Sequence, residues 1–164
     1  MDNLRKIDHS ALKVNQLVII TLNLLAFIFN LPGLVVLVAA VMLIGTLLGA
    51  PGFGFGYHKL LKPAGWIKPD VLLDNPEPHR FAQGLGGVFM SSAALALFLG
   101  AGFVGWGLVW LVAGLAALNA FGGFCLGCMV YYWLSRLRVP GFYKSPPADT
   151  FPGMRPNTRV GQER

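Results

Sequence analysis

Residues 81–135, FAQGLGGVFMSSAALALFLGAGFVGWGLVWLVAGLAALNAFGGFCLGCMVYYWLS, contain no Asp, Glu, Lys, Arg or His. A second stretch without these residue types lies between Lys13 and His58. A helix of about 20 apolar residues is enough to cross the hydrocarbon core of a membrane. Each stretch is therefore long enough for two membrane-spanning helices and the turn between them.

The composition of the whole chain also indicates a membrane protein. Of its 164 residues, 55% are hydrophobic and 12% are charged, and the mean hydropathy is +0.61. Soluble domains carry about 25% charged residues, because polar side chains must cover much of their surface. This composition excludes a soluble enzyme domain, a disordered chain and a secreted scaffold held together by disulfides.

Pro and Gly residues divide the two charge-free stretches, because they punctuate helices. Residues 30–33 (NLPG) divide the first stretch, and residues 100–102 (GAG) divide the second. The predicted helices span about Leu12–Phe29, Leu34–Leu48 and Arg80–Leu99, and the last helix begins near Phe103. The predicted fold is all-α, a polytopic membrane protein with four transmembrane helices.

The last of these helices is longer than one straight crossing needs. A helix from Phe103 to Leu137 would extend about 52 Å, against a hydrocarbon core of about 30 Å. The Gly122-Gly123 pair is a recognised cause of helix kinks. We therefore predict that the last helix is bent or broken near Gly122-Gly123, with a shorter second half that leads out into the cytoplasm.

The basic residues predict the orientation of the chain. All 13 Lys and Arg lie before or at the start of helix 1, in the loop at residues 49–80 or after the last span, and the two tight turns have none. The positive-inside rule then places both termini and this loop in the cytoplasm, with the protein in the inner (plasma) membrane. The net charge of +6 favours contact with anionic membrane lipid. We do not expect the protein to bind nucleic acid, because its basic residues flank the membrane spans and form no separate basic domain.

Two regions are expected along the chain. Residues 1–138 form the four-helix transmembrane domain, which includes the cytoplasmic loop at residues 49–80. Residues 139–164 are rich in Pro and carry scattered charge. Such a composition is typical of a disordered segment, so we expect a disordered cytoplasmic tail.

Cys125 and Cys128, the only cysteines, form a C-x-x-C pair. Positions i and i+3 are neighbours on a helix, so the two sulfur atoms can meet as a redox couple. If the chain breaks at Gly122-Gly123, Cys125 lies in the first turn of a helix, where exposed N–H groups favour the thiolate. We predict Cys125 and Cys128 as the catalytic residues, with Cys125 as the nucleophile and Cys128 as its resolving partner.

Two other interpretations of the cysteines stay open. They can be small, inert thiols that pack a helix crossing, or two ligands of a metal ion. For a metal the further ligands are missing, because we expect His9, His58 and His79 to be isolated from one another and from the cysteines. His79 could bias a nearby thiolate, but we interpret it as a solvated loop residue. The sequence shows no nucleotide or quinone motif, and we predict no metal and no cofactor.

Polar residues within the spans concentrate at the end where the cysteines lie. Asn15 and Gln16 begin helix 1, and Arg80 and Gln83 begin helix 3. Polar groups inside membranes often mark function, so these four residues are predicted to bind substrate around the dithiol. Asn119 lies deeper and is included as a fifth candidate. The alternative is that all five make interfacial contacts or interhelical hydrogen bonds.

Several segments together resemble the uncharacterised bacterial membrane family known as domain of unknown function 4395. They are residues 7–9 (IDH), 14–16 (VNQ), 76–86 (PEPHRFAQGLG), 119–121 (NAF) and 124–128 (FCLGC). The resemblance covers about residues 5–138, and residues 80–83 and 125–128 are its most specific parts. It implies an association with thioredoxin-like or rhodanese-like proteins, as for some members of the family. Met129 stands where the family leads us to expect an acidic residue.

Three functional hypotheses follow. The first is a membrane thiol–disulfide or persulfide relay, in which Cys125 attacks a partner and Cys128 resolves the mixed species. The second is a carrier of a small sulfur species or a cation, which would require a homo-oligomer because four short spans make a small pore. The third is a structural membrane subunit with inert cysteines. The sequence leaves open whether the protein is an enzyme.

Overall fold

The computed structural model describes residues 4–54, 70–147 and 150–156. In these residues, five α-helices and two short strands follow one another along the chain. In order, they are β1 (Arg5–Asp8), α1 (His9–Ile28), α2 (Pro32–Leu48), β2 (Val71–Asp74), α3 (Pro76–Phe98), α4 (Gly102–Gly122) and α5 (Leu126–Arg136). The protein is therefore mostly helical, as predicted.

Three of the helices, α1, α3 and α4, are long and apolar enough to cross a membrane. Helix α2 is also apolar but has 17 residues. Many of the large apolar side chains on these helices are exposed, among them Ile28, Leu47, Phe98 and Phe103. Apolar helices with exposed apolar side chains are those of a membrane protein. The fourth span and the cytoplasmic position of the termini stay predictions.

Two helices begin earlier than predicted. Helix α1 begins at His9, because the side chain of Asp8 caps it by accepting a hydrogen bond from the backbone N–H of Ser10 at 3.0 Å. Helix α3 begins at Pro76, four residues before the predicted start at Arg80. Proline fits the first turn of a helix, where its missing N–H costs nothing. As a result, His79 lies on α3 and not in a loop.

Helix α3 is the centre of the fold and packs against α2, α4 and α5. Glycines let α2 and α3 approach closely, as expected for helices in lipid. A Cβ atom at Gly84 would lie 2.9 Å from Cγ2 of Thr46, and one at Gly87 would lie 2.8 Å from Cδ2 of Leu43. The most buried apolar residues of this core include Ile19, Val35, Val38, Met90 and Val109.

The long last helix of the prediction is two helices. Helix α4 ends at Gly122, and Gly123 follows in the left-handed conformation with φ +64°. Glycine adopts this conformation without a steric penalty. The chain then runs in extended form through Phe124 to Cys125, and α5 begins at Leu126. The interruption thus lies at Gly122-Gly123 and is a complete break.

A two-stranded antiparallel sheet, absent from the all-α prediction, joins the start of α1 to the start of α3. Strand β1 pairs with β2 in a register that places Arg5 opposite Asp74 and Asp8 opposite Val71. The backbone N–H of His9 also donates to the carbonyl oxygen of Asp70 at 2.8 Å. Strands of four residues are too short for a clear alternation of apolar and polar side chains.

Part of the tail that was expected to be disordered makes defined contacts. The backbone N–H of Cys125 donates to the carbonyl oxygen of Gly153 at 2.7 Å, and that of Arg155 donates to Gly123 at 2.9 Å. The side chain of Arg155 forms an ion pair with Asp70. These hydrogen bonds compensate the broken helix end, whose backbone groups would otherwise lack partners. Residues 55–69 of the predicted loop at residues 49–80 lie outside the described residues.

Candidate dithiol site

Cys125 and Cys128 form a disulfide at the start of α5, with their Cα atoms 5.2 Å apart. Cys125 is the N-cap residue of α5, and its Sγ atom accepts a hydrogen bond from the backbone N–H of Cys128 at 3.2 Å. Both cysteines are buried, with 7% and 3% of their surface exposed. The break before α5 therefore places Cys125 at a helix N-terminus, where the helix dipole favours a negative charge.

Gly127, between the two cysteines, is where α5 crosses α3. A Cβ atom at Gly127 would lie 2.6 Å from Cβ and 2.8 Å from Cα of Ala82, so only glycine allows this approach without a shift of one helix. His79 lies three residues before Ala82, on the same face of α3. The close crossing thereby brings the first turn of α3 to the cysteines.

His79 connects the cysteines to a buried carboxylate. Its Nδ1 atom lies 3.5 Å from Sγ of Cys128, and its Nε2 atom lies 2.8 Å from Oδ2 of Asp74. An ionised carboxylate only accepts hydrogen bonds, so Nε2 carries the proton in the neutral imidazole. The Nδ1 atom that faces Cys128 then has a free lone pair and can accept a proton from a thiol at that position.

Asp74 is buried, with 4% of its surface exposed. Burial alone would raise the pKa of its carboxyl group, but contacts with His79 and His9 and the backbone N–H of Asn75 outweigh burial. The result is a pKa well below the ordinary value of 3.8. The carboxylate therefore stays ionised at neutral pH and fixes the orientation of the imidazole.

His9, the first residue of α1, completes the cluster. Its Nε2 atom lies 3.2 Å from Oδ2 of Asp74, and its ring stands edge-on to that of His79 with the centroids 5.7 Å apart. The prediction that these two histidines are isolated is wrong, because the β1–β2 pairing joins their helices. His58 lies outside the described residues.

The cluster has the ligand types of a transition-metal site. One nitrogen of His79 and the two sulfur atoms lie within 4.8 Å of one another, as do ligand atoms of His9, Asp74 and His79. Nitrogen and thiolate ligands suit zinc and similar ions. The cysteines could act as ligands only in the dithiol form, since a metal binds thiolates and not a disulfide.

Tyr132 and Asn75 pack behind the carboxylate. The amide of Asn75 lies 3.4 Å from the hydroxyl oxygen of Tyr132 and donates to the carbonyl oxygen of Ser145 at 2.8 Å. Burial raises the pKa of Tyr132 to about 12, so its hydroxyl group stays protonated at neutral pH. These contacts tie the chain after α5 to the site.

Two cavities meet at Cys125. The first, the polar cavity, has a volume of about 640 Å³ and is lined by both cysteines, His9, Asp74 and Lys13, among others. The second, the apolar cavity, has a volume of about 320 Å³ and lies among α1, α3, α4 and α5. Their shared walls are formed by Leu12, Gln16, His79, Asn119 and Cys125. Both volumes are in the range of small-molecule sites.

The structure separates the five predicted binding residues into two groups. Gln16 and Asn119 lie beside Cys125 on the shared walls of the two cavities. Asn15, Arg80 and Gln83 instead hold the end of α2 and the loop that follows it. The side chain of Asn15 accepts from the backbone N–H of Phe53 at 2.8 Å.

Arg80 and Gln83 act in the same way as Asn15. The amide group of Gln83 donates to the carbonyl oxygens of Met42 and Ala50 and accepts from the backbone N–H of Gly52. The Nη2 atom of Arg80 donates to the carbonyl oxygen of Leu47 at 3.1 Å. These contacts are the interhelical hydrogen bonds that the sequence left open as the alternative, although Asn15 and Gln83 also reach the wall of the apolar cavity.

Sequence reasoning missed Asp74, His9 and Gly153 and misplaced His79. One signal was present for His79: Asn75-Pro76 is a recognisable helix start, and it places His79 in the first turn. For Gly153, nothing in a Pro-rich tail indicates a contact with the cysteines.

The fold is a bundle of apolar helices, and the paired cysteines lie at the start of one helix. These features define a helical membrane protein with a dithiol–disulfide site. The family model described as Domain of unknown function (DUF4395) matches residues 7–136. The chain belongs to this family, as its sequence segments indicated. No curated protein and no solved structure gives a match.

Proposed function

We propose that the protein is a membrane thiol–disulfide oxidoreductase whose Cys125–Cys128 pair exchanges two electrons with a thiol protein in the cytoplasm. One observation carries this proposal: Cys128, His79 and Asp74 form a continuous chain, with 3.5 Å from sulfur to Nδ1 and 2.8 Å from Nε2 to the carboxylate. A nucleophile, a base and a group that orients the base are the parts of an activated nucleophile. Inert packing cysteines need neither a base nor a buried carboxylate.

Cys125 is the residue that attacks the partner. It lines both cavities, while Cys128 lines the polar cavity. In the dithiol form, the Cys125 thiolate is stabilised by the N–H of Cys128 and by the N-terminus of α5. It attacks one sulfur atom of a partner disulfide, a mixed disulfide forms, and the other partner sulfur leaves as a thiolate that takes up a proton.

Cys128 completes the exchange. His79 accepts the proton of the Cys128 thiol through Nδ1, and the resulting thiolate attacks Sγ of Cys125. The Cys125–Cys128 bond forms, the bond to the partner breaks, and the second partner sulfur leaves and takes the proton from His79. In total, two thiols of this protein become a disulfide, and one partner disulfide becomes two thiols.

The polar cavity is the entrance for the partner. Lys13 and Arg155 are exposed on its wall, and exposed charged side chains suit contact with a water-soluble protein. We place this end of the molecule in the cytoplasm, with both termini, because basic residues concentrate there. A thioredoxin-like protein has the chemistry that this step requires, and a rhodanese-like protein could donate sulfur to the same thiolate.

Trapping of the mixed disulfide tests the proposal. In cells that express the full chain, Cys128→Ser cannot resolve the intermediate, so Cys125 should stay linked to its partner by a bond that a reductant cleaves. The matched control is Cys125→Ser, which keeps one thiol, in the less accessible position. We expect adducts with Cys128→Ser and at most traces with Cys125→Ser.

Two results would refute the proposal. One is that neither variant forms adducts. The other is that the wild-type pair remains in a single redox state when membranes are treated with a reducing and then an oxidising soluble thiol–disulfide couple. Either result would leave a carrier of a small sulfur species or a cation, or a structural subunit with inert cysteines.

A further inference from the structure

The apolar cavity gives the dithiol a second route for electrons. It lies among α1, α3 and α4 and reaches Cys125, but most of its wall is formed by apolar side chains such as Ile19, Phe89 and Val112. A water-soluble protein cannot enter such a space. Cys125 therefore faces two different environments, one suited to a soluble partner and the other to a lipid-soluble molecule.

The apolar cavity has an edge that faces lipid. Leu85, Leu111 and Leu126 line it and are among the exposed apolar residues of the fold. On helices that cross a membrane, exposed apolar side chains contact lipid. A molecule dissolved in the bilayer can thus enter between these side chains without passing through water.

Two unpaired amides stand where the cavity meets Cys125. Gln16 and Asn119 line both cavities and are half-buried, and neither side chain has a hydrogen bond with another residue in the described part of the chain. Each amide offers two N–H donors. Ligand sites combine an apolar wall with a few placed polar groups that orient the ligand, and these donors are placed to hold carbonyl oxygens beside a sulfur atom.

From this arrangement we propose that the apolar cavity binds a lipid-soluble quinone, which accepts the electrons of the Cys125–Cys128 dithiol. The inference rests on the proposed redox function. A quinone combines the required properties: it is apolar, it carries carbonyl oxygens that accept from Gln16 and Asn119, and it takes up two electrons and two protons. The two electrons that a quinone accepts match the two electrons that a dithiol releases when it forms a disulfide.

The reaction balances as follows. The Cys125 thiolate adds to a ring carbon of the quinone, and the thiol proton goes to a quinone oxygen. The Cys128 thiolate, whose proton has passed to His79, then attacks Sγ of Cys125. The sulfur–sulfur bond forms, the carbon–sulfur bond breaks, and its electron pair moves into the ring. The second oxygen takes the proton from His79, and a quinol leaves.

The experiment uses the full chain, purified in lipid nanodiscs and reduced to the dithiol. One sample is mixed with a short-chain benzoquinone and another with a small water-soluble disulfide, and disulfide formation is followed by alkylation and mass spectrometry. Quinone absorbance gives a second readout. We expect both oxidants to react with the wild type, with one quinol formed per disulfide.

Ala116→Phe fills part of the apolar cavity, because Ala116 is buried on its wall. We expect the ratio of the quinone rate to the soluble-disulfide rate to fall at least about tenfold. Gln16→Leu should lower the same ratio by about tenfold, since one hydrogen bond to the quinone is lost. The control is Gly114→Leu, at an exposed position of α4 with open space around it, which should keep the wild-type ratio.

The outcomes separate the two proposals. If the dithiol reacts with the soluble disulfide but not with the quinone, or if Ala116→Phe and Gln16→Leu both keep the wild-type ratio, the quinone site is refuted and the proposed redox function stands. If the dithiol reacts with neither oxidant, both are refuted. Because the quinone test on the wild type needs no variant, a misfolded variant does not affect it.

Discussion

The Nδ1 atom of His79 lies 3.5 Å from the Sγ atom of Cys128, although the two residues are 49 positions apart in the chain. Two features produce this contact. The start of α3 at Pro76 places His79 on a helix, and the absence of a side chain at Gly127 lets α5 approach that helix. The contact gives the second cysteine a base, which a C-x-x-C pair alone does not supply.

The first prediction concerns His79. In His79→Gln, the Cys128 thiol loses its proton acceptor, so the step that resolves the mixed disulfide should slow by about 10²-fold near neutral pH. The difference in the rate of the resolving step between this variant and the wild type should narrow as the pH rises toward about 8.5, where a thiol ionises without a base beside it. Stopped-flow measurement of partner release across this pH range checks both points.

The matched control for that experiment is His9→Gln. His9 contacts the same carboxylate oxygen as His79, but His79 is the one of the two whose ring nitrogen faces the sulfur atom. The change at His9 should therefore have a much smaller effect on the resolving step. Equal slowing by both variants would contradict the assignment of His79 as the base.

The second prediction concerns stability at acid pH. The fold lowers the pKa of Asp74 below its ordinary value of 3.8, so the carboxylate stabilises the native state at every pH above that value. This contribution should disappear as the pH falls from about 4 toward the lower pKa of the folded state. Asp74→Asn should show a smaller loss of thermal stability between about pH 6 and pH 3 than the wild type, measured in the same detergent.

The outcome that argues against this role of Asp74 is a parallel acid dependence in both proteins. In that case, other carboxyl groups would account for the whole effect. Glu77 forms an ion pair with Lys144 at 3.9 Å, and Glu77→Gln provides the comparison for a partly exposed carboxylate, which contributes little.

The third prediction concerns the crossing of α3 and α5. Gly127→Ala places a Cβ atom 2.6 Å from that of Ala82, and such overpacking costs about 1–3 kcal/mol of stability. The helices must separate, so the resolving step should also slow. Ala82→Gly in the same chain removes the nearer of the two clashing atoms and should restore part of both losses.

Gly107→Ala is the control for that pair, because a Cβ atom at Gly107, on α4, meets nothing within 4 Å. It should leave the unfolding temperature at or slightly above that of the wild type. If Gly127→Ala behaves like Gly107→Ala, a close approach of α3 and α5 at Gly127 is contradicted.

The fourth prediction concerns the tail. Gly153 has φ +88°, and a Cβ atom there would lie 2.8 Å from the carbonyl oxygen of Cys125. Gly153→Ala should displace the tail, free the N–H of Cys125 and raise the alkylation rate of the reduced cysteines. Gly141 has φ +93° but open space around it, so Gly141→Ala carries the same backbone strain without the clash. Similar alkylation rates in the two variants would mean that the tail does not cover the site.

The sequence predicted the membrane class and much of the helical layout, because long apolar stretches and the Gly-Pro turns depend only on local composition. It predicted a break near Gly122-Gly123 for the same reason. The β1–β2 pairing escaped prediction, since its four-residue strands have no clear periodicity and α1 and α2 lie between them along the chain.

The site was predictable only in part. A pair of cysteines at i and i+3 is visible in any sequence, and so is the cluster of polar residues at one end of the helices. The contact between Asp74 and His9 becomes apparent only once the β1–β2 pairing is known, because residues that a sheet brings together can be far apart in the chain. For the same reason, sequence alone could not separate Gln16, beside Cys125, from Asn15, which holds a loop.

The most direct measurement is the redox state of Cys125 and Cys128 in native membranes, after rapid acid quenching and alkylation, read by mass spectrometry. The prediction is that a soluble reductant converts the disulfide to the dithiol, that the disulfide returns when the reductant is removed, and that the return is slower in His79→Gln. A pair that stays in one form under both conditions would contradict a redox role for the pair, and an equal rate of return in His79→Gln would contradict the assignment of His79 as its base.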